Sequence, residues 1–350
     1  SMDINARGNH PNPIMFRESW INLDGEWNFS FDKDDIGINQ AWMLKEDFSE
    51  KIIVPYVYQS ILSGINKADL CDTVWYSRKF TLPKGWQGKK TLLHFGAVDY
   101  YCQVWINGSF AGEHTGGYSS FCLDITQYVD FDKDNKVTLR VVDHSYDRAQ
   151  CRGKQRYDEK SFGCWYKQYT GIWQSVWLES VNYTYIEDIK TVTDVDSATI
   201  MIDVDVSGWQ NQSEMALTAD LSMEGKNVSN VTVKLEDGRA SLIVSAICQE
   251  EPFSGFYYWS PENPKLYDLK LALFCGEECV DSLLSYVGMR KLEVSNGKVY
   301  LNNSPCFQRL ILNQGYYVKG HITAENDEEI KKDISIIKKM GFNGMRIHEK

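Results

Sequence analysis

From about residue 20 to residue 183 the chain repeats one pattern: short runs of alternating apolar and polar residues, separated by turn-forming residues. Glu26–Phe31, Thr73–Phe80, Thr91–Phe95, Tyr101–Ile106 and Lys136–Val142 are such runs, rich in β-branched and aromatic side chains. Successive side chains of an extended chain point to opposite faces, so a period of two predicts strands with one face buried. Asn107-Gly108 between two runs predicts a tight hairpin, because a type I′ turn needs positive φ at both central positions. Many strands, long loops and little helical periodicity predict a jelly roll or related sandwich.

A plainer version of the pattern occupies residues 184–288, with strands expected at Thr199–Val206, Glu214–Leu221, Asn230–Leu235 and Tyr267–Phe274. About 100 residues of regularly spaced strands is the size of an immunoglobulin-like sandwich. The Cys…Trp…Cys spacing of antibody domains is absent.

The tail changes class. Phe307–Leu312 is a short apolar run. Thr323 or Asn326 is placed to cap a following helix, whose acidic first turn suits the helix dipole. Ile330, Ile334, Ile337 and Met340 recur at helical spacing, Gly341 stands as a C′ residue, and Phe342–His348 reads as a strand. This is a βαβ unit, the building block of parallel sheets. A closed (β/α)8 barrel takes roughly 250 residues, far more than lie between Pro305 and Lys350, so an incomplete barrel opening is expected. The expected fold class is therefore mainly β. It comprises a jelly roll over 1–183, an immunoglobulin-like sandwich over 184–288 and the start of a barrel over 289–350.

Composition narrows the partners. With 43% apolar and 24% charged residues the chain reads as globular and soluble. The 13% aromatic content, with 11 Trp and 20 Tyr, fits either sugar stacking or a sandwich core. A net charge of −11 weighs against nucleic acid or an anionic membrane as partner. Arg148–Arg156 is locally basic, but no aromatic residue interleaves it in sequence. Nine cysteines, an odd number without a CxxC pair, suit a reducing cytoplasm, and Cys275 and Cys279 lack a second ligand pair for zinc. Ser1-Met2 resembles a tag remnant, no signal-peptide core follows it, and no apolar run reaches membrane-spanning length. Asp203–Gly208 has the spacing of a degenerate calcium loop but reads as strand alternation, and no metal or cofactor is expected.

A series of motifs resembles glycoside hydrolase family 2 in order along nearly the whole chain. They are Trp20–Phe29, Val54-Pro55, Gln59–Ile65, Val74–Phe80, Phe95–Asp99, Val104–Gly108, Gly112–Phe121, Asp124–Thr126, Tyr169–Glu179, Trp259–Tyr267 and Asp333–Lys350. The resemblance implies a retaining β-glycosidase acting on terminal β-linked sugars, with β-galactosidase the first expectation and β-glucuronidase the second. It also implies a carbohydrate substrate and a homo-oligomer for the full-length enzyme. Two glutamates roughly 5 Å apart perform the family's chemistry on later barrel strands, which the pattern places beyond Lys350. The fragment itself is thus expected to be inactive. The alternative is a free-standing carbohydrate-binding module or lectin, against which the βαβ tail argues.

Two departures bear on the sugar. Better-known members carry a His just after the first barrel strand, where Asn313-Gln314-Gly315-Tyr316 stands here. Many carry an Asp shortly before the Gly-Ile motif, where Trp165 stands here. The candidate substrate-binding residues are Arg346, His348, Gln314, Tyr316 and Trp165. Arg346 and His348 sit at the carboxyl end of an expected barrel strand, where barrel active sites are built, or else pair internally. Gln314 and Tyr316 follow the first strand. Trp165 and Tyr166 either stack on sugar or pack in the jelly roll. His114 and Asn107 read as structural residues. Asp99 and Asp143 hold either a cation or a strand-end amide, the amide being favoured.

Overall fold

A computed structural model describes residues 8–210 and 214–350; Ser1-Met2 lies outside the described residues. Two compact units form. One contains Trp20–Ser180 together with Arg309–Lys350, and the other contains the residues up to Ser19 together with Val181–Gln308.

The first unit begins as a sandwich of β1 (Trp20–Asn22), β2 (Gly25–Phe31), β3 (Glu50–Val54), β4 (Thr73–Phe80), β5 (Lys90–Phe95) and β6 (Val98–Asp99). It continues with β7 (Tyr101–Ile106), β8 (Ser109–Thr115), β9 (Phe121–Asp124), β10 (Asn135–Val142), β11 (Gly171–Ile172) and β12 (Val176–Val181). A six-stranded sheet in the order β3-β2-β4-β10-β7-β8 faces a four-stranded sheet in the order β1-β12-β5-β9, and β11 pairs with β6. The six-stranded sheet is antiparallel throughout. Its centre, β4 and β10, is buried along almost its whole length, which is why Val74-Trp-Tyr76 can be apolar without alternating. The core between the sheets includes Trp27, Phe29, Tyr76, Leu93, Phe95, Val104 and Leu139. Buried indoles find polar partners: Trp27 Nε1 donates to the Leu23 carbonyl at 2.7 Å, and Trp75 Nε1 to Asp32 Oδ2 at 2.9 Å. Asn107 and Gly108 take φ of 51° and 82° and close the β7–β8 hairpin. Asn107 also clamps β10 by accepting from the Lys136 backbone N–H at 2.8 Å.

The second unit is a seven-stranded sandwich. Its strands are β13 (Tyr185–Asp194), β14 (Thr199–Ser207), β15 (Met215–Met223), β16 (Lys226–Lys234), β17 (Arg239–Ser245), β18 (Tyr267–Cys275) and β19 (Glu278–Val287). The sheets run β13-β14-β17 and β16-β15-β18-β19. Buried residues alternate strictly with half-buried ones along β15 and with exposed ones along β17, as a sheet with one solvated face requires. Asp203 and Asp205 lie on β14, so Asp203–Gly208 is strand alternation. A small antiparallel sheet of β20 (Leu292–Ser295), β21 (Lys298–Leu301) and β22 (Ser304–Pro305) follows. The N-terminal segment joins this unit, because Phe16 exchanges two backbone hydrogen bonds with Leu284 at 2.9 Å each. Beside it, the Arg17 guanidinium forks onto the Asp281 carboxylate at 2.9 and 2.7 Å, both side chains buried, and also donates to the Ile186 carbonyl.

The tail folds as β23 (Leu310–Asn313), α1 (Asp327–Lys339) and β24 (Gly344–Ile347), with β23 and β24 parallel. Asn326, rather than Thr323, caps the helix by accepting from the Glu329 N–H at 3.1 Å. Three acidic residues occupy the first turn and two lysines the last, and Gly341 takes φ of 90° as the C′ residue. Ile330, Ile334 and Met340 of the apolar stripe remain exposed, as do Leu310 and Leu312 on β23.

Candidate functional site

The ends of β23 and β24 meet the long irregular loop 143–170 of the sandwich, which lies in the same unit. His348 N–H donates to the Asn313 carbonyl at 3.0 Å and draws the two strand ends together. The segment after β23 then runs onto the sandwich. Ile322 is fully buried against Val57, Ala97, Tyr169 and Trp173. Thr323 Oγ1 donates to the Trp173 carbonyl at 2.6 Å, and Tyr56 Oη to the Glu325 carbonyl at 2.5 Å.

The loop is pinned from beneath by two fully buried carboxylates. Asp143 accepts from Gln168 Nε2 at 2.8 Å, from Thr170 Oγ1 at 2.7 Å and from the Gln150 amide. Asp99 Oδ2 accepts from Gln155 Nε2 at 2.7 Å, while Gln155 Oε1 accepts from the Tyr169 N–H at 2.7 Å. These partners are glutamine side-chain amides and a hydroxyl, not the strand-end amides expected from sequence. Burial pushes both carboxyls up from the usual range, and the neighbouring Asp143 charge raises Asp99 further.

Above these carboxylates the loop touches the strand ends directly. Gly153 has φ of +58°, and a Cβ there would sit 2.4 Å from the Glu349 carbonyl oxygen and 2.6 Å from the Tyr118 hydroxyl. Only glycine lets the loop backbone approach the end of β24 so closely. Tyr166 donates its hydroxyl to Gln314 Oε1 at 2.7 Å and stacks on Tyr316 with centroids 3.8 Å apart. Tyr169 stacks on His321 at 5.3 Å. Burial drives the Tyr316 hydroxyl well above the usual range and pushes Tyr118 up to about 12. Burial lowers His321 to about 4, helped by the nearby Lys167 charge.

The structure brings Gln314, Tyr316 and, through its neighbour Tyr166, Trp165 onto one seam. Trp165 is 36% exposed, and two cations lie near its ring: Arg152 Cζ is 5.1 Å and Lys154 Nζ 4.8 Å from the centroid. His348 sits at the strand end with Nε2 3.6 Å from Glu349 Oε1. Arg346, opposite Leu312 in the register, is exposed and stands apart from this cluster.

Two features lie outside the sequence reading. Lys350 donates Nζ to the Gly315 and Ile322 carbonyls and sits over the rings of Trp173, Tyr316 and Tyr317. The residue is exposed as a whole, but the surroundings of its ammonium hold the pKa down to about 8 through loss of water. Although no aromatic residue interleaves the basic run in sequence, rings from outside it stand beside its cations in space. Arg152 lies over Tyr157 at 4.7 Å as well as over Trp165, and Arg156 over Phe162 at 5.6 Å. The chain folds back on itself at the parallel bridge between Gln155 and Tyr166, which sequence spacing did not reveal. Elsewhere, a groove of about 840 Å³ on the second sandwich is lined by charged side chains such as Asp203, Asp205 and Arg239. Arg239 pairs with Asp205 at 2.8 Å, so this is a solvated charged face.

A jelly-roll-like sandwich, an immunoglobulin-like sandwich and a parallel βαβ segment make up the described architecture. Family models agree: residues 20–182 match the sugar binding domain of glycosyl hydrolases family 2, and residues 184–290 match a further glycosyl hydrolases family 2 domain. The chain belongs to glycoside hydrolase family 2.

It is 31% identical over 345 residues to a beta-galactosidase of Thermoanaerobacter pseudethanolicus, covering 95% of this chain and 43% of that protein. It is 27% identical over 334 residues to a putative beta-glucuronidase of Formosa agariphila, covering 93% of this chain and 38% of that protein. A solved structure of Ruminococcus gnavus β-glucuronidase in complex with D-glucuronic acid superposes with a TM-score of 0.77 at 20% identity, covering 95% of this chain and 56% of that one. That likeness is one of fold. The chain thus spans about two-fifths of the length of these curated relatives. Among the described residues no helix is long and apolar enough to cross a membrane.

Proposed function

We propose that this chain is the sugar-binding and site-framing portion of a retaining β-glycosidase acting on terminal β-linked sugars, a β-galactosidase in the first instance and a β-glucuronidase in the second. The observation that carries the reading is the seating of loop 143–170 on the carboxyl ends of parallel β23 and β24, where barrel enzymes build their active sites. On this reading the βαβ unit opens a (β/α)8 barrel, and the exposed Leu310, Leu312, Ile330 and Ile334 belong to faces that further strands and helices cover.

Gln314, Tyr316, Arg346, His348 and Trp165 frame the substrate in this proposal. Gln314 presents an amide whose orientation is set by Tyr166, and Tyr316 supplies a wall fixed by stacking. Arg346 and His348 project from the second strand. Retaining hydrolysis needs two carboxyl groups roughly 5 Å apart, one as acid/base and one as nucleophile. No catalytic residue is assigned to this chain, and no metal or cofactor is invoked. The proposal extends to a cytoplasmic, homo-oligomeric full-length enzyme.

The test compares nitrophenyl β-glycosides incubated with the 350-residue chain and with the same chain extended to the length of its relatives. Turnover is expected only from the extended protein. Turnover by the 350-residue chain would refute the placement of the catalytic carboxylates, and sugar binding without turnover by either protein would favour a carbohydrate-binding module.

A further inference from the structure

We propose that loop 143–170 carries an anion-binding subsite, and that its ligand is a carbohydrate bearing a carboxylate or sulfate group. The inference rests on the glycosidase reading and deepens it by naming a substrate class.

The argument starts from charge pairing. Some cations of this chain pair with a carboxylate, as Arg156 does with Asp158 at 2.7 Å. Arg152 and Lys154 pair with no carboxylate among the described residues. Arg152 lies over the rings of Tyr157 and Trp165, and Lys154 over Trp165 with its Nζ 3.9 Å from Cys164 Sγ. An aromatic face attracts a cation but accepts no conventional hydrogen bond, so it leaves the fork of guanidinium N–H donors and the ammonium donors available. Both residues are only half-exposed, so two positive charges share one indole ring at partial cost in hydration and without a counter-ion.

The position is fixed. Gly153, between the two cations, is the residue that abuts the Glu349 carbonyl at the end of β24. The Tyr118 hydroxyl donates to the Arg152 carbonyl at 3.0 Å, and the Tyr166 N–H donates to the Lys154 carbonyl at 2.9 Å. The backbone carrying both charges is therefore tied down on either side before any ligand arrives, which lowers the ordering cost of binding. With both cations drawn over its ring, Trp165 is a positioning residue for them rather than a platform for a sugar face. A planar guanidinium with its donors unpaired suits the paired oxygens of a carboxylate or sulfate, and the Lys154 ammonium on the same indole adds positive charge to the site.

The experiment is isothermal titration of the 350-residue chain with methyl β-glucuronide, glucose 6-sulfate and neutral methyl β-glucoside. At least one anionic sugar is expected to bind about tenfold or more tighter than the neutral one, an advantage that largely disappears in about 0.5 M salt. The two anionic arms decide between carboxylate and sulfate. R152Q and K154Q are each expected to remove most of the advantage while leaving the neutral sugar unchanged, and R152K is expected to restore part of it. Thermal melting of each variant separates lost binding from lost folding. Equal binding of all three sugars, no binding of either anion, or an advantage that survives the R152Q/K154Q double variant would overturn the proposal. Hydrolysis of neutral glycosides by the extended protein reports on the glycosidase reading alone, so the two can fail separately.

Discussion

Tyr166 and Tyr316 lie face to face, with ring centroids 3.8 Å apart and planes within 12° of parallel. One ring comes from a sandwich loop and the other from the segment after the first parallel strand. Their stacking, with the Tyr166 hydrogen bond to Gln314, joins the two parts of a discontinuous unit.

Removing that hydroxyl isolates the polar part of the joint. Tyr166→Phe keeps the stacked ring but leaves Gln314 Oε1 without its donor, and a loss of about 1 kcal/mol is expected. Urea unfolding monitored by tryptophan fluorescence measures it; an unchanged midpoint would show that water replaces the hydroxyl without cost.

Gly153 tests the close approach. Gly153→Ala places a methyl group against the Glu349 carbonyl and the Tyr118 hydroxyl, at a backbone angle of +58° that side chains rarely adopt. A cost of about 1–3 kcal/mol and detachment of the loop are expected. Limited trypsin digestion gives the readout, because Arg148, Arg152, Lys154 and Arg156 become cleavable when the loop lifts.

The buried carboxylates predict a pH dependence. Asp99 has a folded-state pKa raised well above its unfolded value by burial and by Asp143, so its contribution is present at low pH and lost as pH rises through the raised value. The melting temperature should fall as pH rises above the ordinary carboxylate range of about 4. Asp99→Asn should flatten that fall, since the amide oxygen still accepts from Gln155 without acquiring charge. His321, held down to about 4, has the opposite slope, stability being lost as pH falls from about 6.5 toward 4, so the Asp99 effect is read as the difference between the parent and Asp99→Asn at each pH, in which the His321 contribution cancels.

In the second sandwich, Arg17→Leu leaves the Asp281 carboxylate buried with the Ile186 and Ser282 N–H groups still donating to it but without its cation. A loss of about 3–5 kcal/mol is expected, because an uncompensated buried charge remains. Replacing both residues, Arg17→Leu with Asp281→Leu, should recover part of that loss in the same denaturation assay.

Elements with a local cause were legible in the sequence. β4 runs from Thr73 to Phe80 as its apolar pattern predicts, β7 and β8 close on Asn107-Gly108, and Gly341 ends α1. Each depends on residues within a few positions of one another. The candidate site was only partly legible, since its contacts join segments distant in sequence. Gln314 and Tyr316 stand out from the strand-end position and Tyr166 as a stacking or packing residue, but nothing in the sequence joins them to one another. The Arg152 and Lys154 contacts with Trp165 depend on the fold-back at Gln155, and the Lys350 cage is assembled from Trp173, Gly315, Tyr316, Tyr317 and Ile322.

The discontinuity of the first unit has a consequence for biosynthesis. The sandwich strands are complete by Val181, but Gln314 and Tyr316 are translated only after the whole second sandwich, a delay on the order of ten seconds at ordinary elongation rates. During that interval Asp99 and Asp143 can already tether the base of the loop, while the Tyr166 ring awaits its mate and faces solvent. The nascent polypeptide therefore passes through a stage with a sticky aromatic flap, and conditions that slow translation past Ser180 prolong the exposure of that flap to chaperones and to neighbouring chains.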